Sequence, residues 1–239
     1  MRGFANVETW IFDLDNTLYP ASCRLFDQID RRMGEYIVRL LDVDYAEAKR
    51  IQKDLFYRYG TTLRGLMSDY RIDPDTFLDY VHDIDHTPVP ADPALADALE
   101  RLPGRKLIFT NGTVAHAERV LARLGVHGHF EGIFDIVHSD FIPKPTRAPY
   151  EKFIVSHAVD PARAAMFEDI ARNLEVPHDL GMTTVLVTSP ANVDGNLIND
   201  KTGDALAGYV DHRTDDLARF LAGLLKNGFG QEGRTTWKT

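Results

Sequence analysis

Five short apolar runs recur along the chain: TWIFDL (9–14), KLIFT (106–110), IFDIV (133–137), AAMFE (164–168) and TTVLV (183–187). Each is rich in β-branched or aromatic residues, bounded by turn formers, and too short for a buried helix, so each reads as a buried strand. Helical patterns separate most of them. Asp92-Pro93 has the form of an N-cap followed by proline in the first turn, with Leu95, Leu99 and Leu102 at helical spacing. Val114, Ala117, Val120, Leu121 and Leu124 form a second stripe, closed by Gly125, and Tyr150, Phe153, Ile154 and His157 form a third. Parallel strands need crossover connections, usually helical, so this alternation predicts a parallel, doubly wound α/β sheet.

Residues 20–91 break the rhythm. Leu25, Ile29, Met33, Ile37 and Leu40 predict a long amphipathic helix, Ala48, Ile51 and Leu55 another, and Phe77, Val81 and Ile84 a third. This reads as a helical module inserted after the first strand, with Pro88, Pro90 and Pro93 marking its exit. The expected division is a core of 1–19 and 92–225, an insert of 20–91, and a flexible glycine-rich tail of 226–239. A formal charge of −9 argues against a nucleic-acid polymer as partner. No run is long enough to span a membrane, and the opening residues lack a signal-peptide core. Cys23 is the sole cysteine, so no internal disulfide can form and a reducing cytoplasm is the expected location.

Polar groups cluster where the predicted strands end. Asp13 and Asp15 follow the first, where open α/β sheets bind ligands, although acidic turn formers are common there. Thr110 and Asn111 end the second and precede a helix, as a phosphate site or a plain helix cap would. Lys144 lies between two prolines beyond the third, in a place where a lone lysine is usually solvated. Glu168 and Asp169 end the fourth. Parallel strands would gather these groups at one edge. Crowded carboxylates need a hard divalent cation, and Mg²⁺ suits them because it keeps positions open for phosphate. The combination predicts a metal-assisted phosphoryl site.

In their order, Asp13-x-Asp15-x-Thr17, Thr110-Asn111, Lys144-Pro145 and Glu168-Asp169 resemble the four motifs of the haloacid dehalogenase-like hydrolase superfamily. FDLDNTLYP, YGTTLRGL, FTNG, PKP and FEDIARNL look like its bacterial pyrimidine 5′-nucleotidase branch. The resemblance implies a Rossmann-like core with a helical cap and a Mg²⁺-dependent phosphatase. Asp13 would be the nucleophile that forms an aspartyl-phosphate, and Asp15 the general acid and base. Asp13, the Asp15 backbone carbonyl and Asp169 would bind Mg²⁺, with Glu168 acting nearby, while Thr110 and Lys144 hold phosphate. Asn173 would support this shell or simply face solvent on a helix. The acid at Asp15 disfavours a dehalogenase, since a halide leaves without a proton. A sugar-phosphate or other small-phosphoester phosphatase, a phosphomutase and a catalytically silent regulator are the alternatives.

The implied substrate is a small phosphorylated metabolite, a pyrimidine nucleoside 5′-monophosphate. Asn111 and Tyr19 are candidate contacts, together with an insert strip of Tyr57, Tyr59, Thr61, Thr62 and Arg64. That strip could equally be a helix–helix connection with its tyrosines packed. His82 and His86 carry no pairing pattern and read as structural, and the sequence leaves open whether His116 faces the cleft or packs.

Overall fold

The computed structural model describes residues 2–188 and 208–228. The tail expected over 226–239 lies almost wholly outside these residues. Six strands form one parallel sheet: β1 (Thr9–Phe12), β2 (Arg105–Phe109), β3 (Gly132–Phe134), β4 (Ala164–Glu168), β5 (Thr183–Val187) and β6 (His212–Thr214). Their spatial order is β3-β2-β1-β4-β5-β6, with every pair parallel. The chain therefore winds outward from β1 on one side, then returns to build the other side. That reversal opens a crevice at the carboxyl ends of β1 and β4.

The central strands are buried on both faces, and their side chains alternate between two apolar clusters. Trp10, Phe12, Ile108 and Phe167 join one, packed under α5 (Pro93–Arg101), α6 (Val114–Leu124) and α9 (Leu217–Asn227). Ile11, Leu107, Phe109 and Met166 join the other, with Tyr150 and Phe153 of α7 (Arg147–His157) and flanking residues of α8 (Glu175–Leu180). The predicted caps are present: Asp92 accepts from the Leu95 amide, and Gly125 ends α6 at φ 78°.

The helical region contains α1 (Leu25–Leu41), α2 (Tyr45–Tyr59), α3 (Thr62–Tyr70) and α4 (Pro74–His82). They surround a separate apolar cluster that includes Ile29, Leu55, Leu66 and Phe77. The helix α3 was not anticipated, because Gly60 and Gly65 read as interruptions. Gly60, at φ 86°, ends α2, and Thr61 then caps α3 by accepting from the Arg64 amide. A Cβ on Gly65 would lie 2.7 Å from Leu55 Cβ, so glycine is what lets α2 and α3 pack closely.

Three strand boundaries also differ. The third strand stops at Phe134 rather than continuing through 137, because Asp135 takes the Val114 and His138 amides and turns the chain. The short polar edge strand β6 carries no apolar run that could announce it. The ends of β1 and β2 fall before Asp13 and Thr110, which places both residues beyond the last sheet position.

Candidate active site

Register brings the strand-end groups together. Phe12 is opposite both Ile108 and Phe167, so Asp13 and Glu168 emerge side by side, and the Asp13 amide donates to the Phe167 carbonyl at 2.9 Å. Lys144 is the hub. Its Nζ donates to Asp13 Oδ1 at 2.8 Å, Glu168 Oε2 at 2.7 Å and the Phe109 carbonyl at 2.9 Å. All three of its donors are used, which is how an ammonium only 2% exposed is tolerated. Burial lowers its pKa, but Asp13 and Glu168 more than offset this and hold it above the ordinary lysine value. Thr17 Oγ1 donates to the other Asp13 oxygen at 2.9 Å, so both oxygens of that carboxylate are held.

The lysine is aimed from behind. Asn111 Oδ1 accepts from the Lys144 amide at 3.0 Å and its Nδ2 reaches the Lys144 carbonyl at 3.5 Å. Asn111 lines the cleft, and its amide also clamps the lysine backbone. Thr110 is buried at the cleft, and its Oγ1 accepts from the Gly112 amide at 2.9 Å. Asn173 is buried too, and its Nδ2 donates to Glu168 Oε1 at 2.7 Å. The open question at Asn173 is thereby decided in favour of the acidic shell.

One ligand oxygen from each of Asp13, Glu168 and Asp169 lies within 4.8 Å of the others. Burial pushes all three carboxyls above their ordinary pKa values, and neighbouring carboxylates add to it, Asp15 at Asp13 and Asp13 at the other two; Glu168 reaches about 7. Asp169 Oδ2 and Asn173 Oδ1 are buried without a hydrogen-bond partner. Crowded hard oxygens with an orphaned carboxylate oxygen fit Mg²⁺. The Asp15 side chain stands outside this group, so any contribution it makes to a metal falls to its backbone carbonyl.

Asp15 Oδ1 accepts from the Tyr19 hydroxyl at 2.6 Å and lies 2.8 Å from His116 Nε2. Burial raises its pKa, but His116 and Tyr19 outweigh burial and bring it to about 2. Tyr19 is itself buried and does not line the cleft; its role is to hold Asp15, not to meet a leaving group. Behind His116, Nδ1 is 3.1 Å from His86 Nε2, and His86 Nδ1 is 3.1 Å from the Ile84 carbonyl. A carbonyl only accepts, so His86 Nδ1 donates to Ile84, and the two rings form a chain that ends on Asp15. His82 stacks on His116 at 4.7 Å, and burial lowers its pKa to about 3. His82 and His86, which show no pairing pattern in the sequence, both meet His116. They come from the end of the insert and meet α6 only in three dimensions, so no linear spacing announces them.

The cleft continues into the insert as a cavity of about 160 Å³, walled by Phe26, Ile29, Met33, Phe56, Phe77 and Val81. Thr61 and Thr62 line it, as anticipated. Tyr59 and Arg64 do not. The Tyr59 hydroxyl donates to Asp69 Oδ1 at 2.5 Å, and the Arg64 guanidinium turns to the Phe141 carbonyl at 3.5 Å. Tyr57 is exposed, under Lys53. Sequence reasoning missed Arg172, which lines the cleft beside Asp169 and lies 4.9 Å from the centre of the Phe56 ring. Its spacing of three and four residues from Asp169 and Glu168 was the available signal.

Comparison with known proteins bears on the family and the fold. A model of the haloacid dehalogenase-like hydrolases matches residues 7–181. Phosphate metabolism protein 8 of Saccharomyces cerevisiae is 27% identical over 196 residues, covering 75% of this chain and 61% of that protein, so the chain spans less than two thirds of this relative's length. Among solved structures, a haloacid dehalogenase-type phosphatase from Thermococcus onnurineus matches with a TM-score of 0.58 at 18% identity, covering 91% of this chain and 98% of the other. The L-2-haloacid dehalogenase of Xanthobacter autotrophicus matches at 0.56 and 15% identity, covering 93% and 99%. At such identities the structural matches speak to the fold.

Proposed function

The chain belongs to the haloacid dehalogenase-like hydrolases, and from that premise we propose that it is a Mg²⁺-dependent phosphatase acting on a pyrimidine nucleoside 5′-monophosphate. The observation that carries the phosphatase reading is the pairing of two differently held carboxylates. Asp13 is clamped by Lys144 and Thr17, whereas Asp15 is fixed through one oxygen by Tyr19 and His116. The first suits a nucleophile and the second a proton carrier.

Asp13 attacks phosphorus, the bond to the leaving oxygen breaks, and an aspartyl-phosphate forms. Asp15 delivers a proton to that oxygen, which an alkoxide requires. That proton reaches Asp15 by way of His116, whose Nε2 lies 2.8 Å from Asp15 Oδ1. In the second displacement Asp15 takes a proton from water as the water attacks phosphorus, and Asp13 is released. Lys144 and Thr110 hold the phosphoryl oxygens, and Lys144 keeps the carboxylate of Asp13 from repelling them. Asp13, Asp169 and Glu168 would hold Mg²⁺, which supplies positive charge to the transferring group when bound.

The substrate reading rests on the insert as a cap over the phosphate site. Apolar walls with two threonine hydroxyls suit a flat ring with a few polar edges better than a sugar with many hydroxyls. Phosphate release from UMP, CMP, AMP, glucose 6-phosphate and p-nitrophenyl phosphate tests it. UMP or CMP is expected to show the highest kcat/KM among the metabolites. A purine nucleotide or sugar phosphate in first place overturns the substrate reading, and no release from any of them overturns the phosphatase.

A further inference from the structure

Two strong cations line the cleft, and they differ in what they can still do. Lys144 has each of its three donors engaged by Asp13, Glu168 and the Phe109 carbonyl. The Arg172 guanidinium has no hydrogen bond or ion pair among the described residues, although Asp13, Asp15, Glu168 and Asp169 line the same cleft. Its neighbour is the face of Phe56, on the insert helix α2. A guanidinium keeps five donors in a planar fork, and stacking on an aromatic ring leaves those in-plane donors free.

We propose that Arg172 is a specificity-determining residue that donates to a carbonyl oxygen on the leaving group. The assignment deepens the substrate reading above and rests on it. Arg172 belongs to the core, just after the Glu168-Asp169 pair, yet it reaches the wall of the insert cavity. It therefore stands where the phosphate end of the cleft gives way to the part that receives the leaving group. The other polar wall residues there have fewer donors left. Gln52 donates to Asp30 and accepts from Lys49, and Thr61 caps α3. The ring carbonyl at position 2 is common to uracil and cytosine and absent from adenine, which gives the fork an acceptor to distinguish. A buried donor set left without its acceptor is what penalises the wrong ligand.

The test compares Arg172→Gln and Arg172→Lys with the parent on UMP, CMP, AMP and phenyl phosphate, with inorganic phosphate as a competitive inhibitor. Loss of a charged, forked contact is expected to raise KM for UMP and CMP about tenfold, with kcat within about threefold. Phenyl phosphate kcat/KM and the phosphate inhibition constant should move less than about twofold, since hydrogen bonds to the ring carbonyl are absent from both. Arg172→Lys, which keeps charge but not the fork, should resemble Arg172→Gln on UMP. An equal loss on all four substrates, or weaker phosphate inhibition, would overturn the assignment and make Arg172 a phosphate or structural residue. Unchanged UMP kinetics would overturn it too. Failure of the substrate reading shows separately, in the parent enzyme's own ranking; Arg172 is then judged on its best carbonyl-bearing substrate against phenyl phosphate. If Arg172→Gln does not fold, Arg172→Lys carries the same comparison.

Discussion

The sheet edge and the insert wall both carry charged and hydroxyl side chains, but they use them differently. At the edge, the polar groups hold one another. Lys144 binds two carboxylates, Asn111 holds the lysine backbone, Asn173 holds Glu168, and Tyr19 and His116 hold Asp15. In the insert, the polar groups mostly hold the insert. Tyr59 binds Asp69, Thr61 caps a helix, and Gln52 with Lys49 binds Asp30. The edge is therefore a preorganised charge arrangement, while the insert presents a mainly apolar wall. Catalytic electrostatics needs fixed dipoles and charges, whereas a wall that receives a leaving group needs shape and few donors.

The comparison is broken most severely at Asp13. Asp13→Asn should abolish turnover, at least about a thousandfold, because it removes the attacking charge. It should leave the melting curve cooperative, and labelled phosphate should no longer be trapped on the protein. Near-normal phosphate release would show that the edge is not the reacting centre.

Lys144→Met should damage stability as well as activity. It leaves Asp13 and Glu168 buried without their counter-charge, a change that costs about 3–5 kcal/mol when a buried pair loses one partner. Denaturant unfolding reads this directly. A loss below about 1 kcal/mol would place the pair in an environment closer to a surface bridge.

His116→Asn sharpens the comparison by separating chemistry from binding. It should lower kcat about 10- to 100-fold on alkyl phosphates such as UMP, as expected for impaired proton transfer. The loss on p-nitrophenyl phosphate should be much smaller, because p-nitrophenolate departs without a proton. Equal losses on both would assign His116 to the fold rather than to Asp15.

pH acts on the stability of the same edge with a smaller effect. Burial, and then the charge of Asp13, hold Glu168 at about 7, above its ordinary 4.5. A carboxyl raised in the folded state supports folding while it is protonated. Its contribution is full below about 4.5 and lost as pH rises through about 7. The metal-free protein should therefore lose a few degrees of Tm between about pH 5 and pH 8, and Mg²⁺ should reduce that slope. A Tm that rises over this interval without metal would contradict the crowding of Asp13, Glu168 and Asp169. EDTA should abolish activity and Mg²⁺ restore it.

The smallest effects belong to the insert. Tyr59→Phe and Arg64→Ala should each leave the UMP to p-nitrophenyl phosphate ratio within about twofold, since neither side chain lines the cleft. A larger change in that ratio would mean that the insert reads substrate through residues beyond its apolar wall.

Local sequence determined the frame of this protein. Apolar runs of five or six residues alternating with helical patterns fit buried parallel strands, and a polar group at the end of such a run emerges at a strand tip. Asp13, Thr110, Glu168 and Asp169 were legible for that reason, and Lys144, ten residues beyond β3, by its place between two prolines and its order among the motifs. Helix signals were equally local where a cap residue wrote them, as Asp92 and Gly125 show. Tertiary structure alone decided what each polar side chain touches. Asn111 and Tyr19 sit in the expected motifs, yet both face protein groups. His82, His86 and His116 become neighbours only when the end of the insert folds against α6. Arg172 becomes a cleft residue only because Phe56 arrives from another region to meet it. Burial and hydrogen bonding depend on partners distant in sequence, so residue type and spacing can nominate a side chain but cannot select its partner.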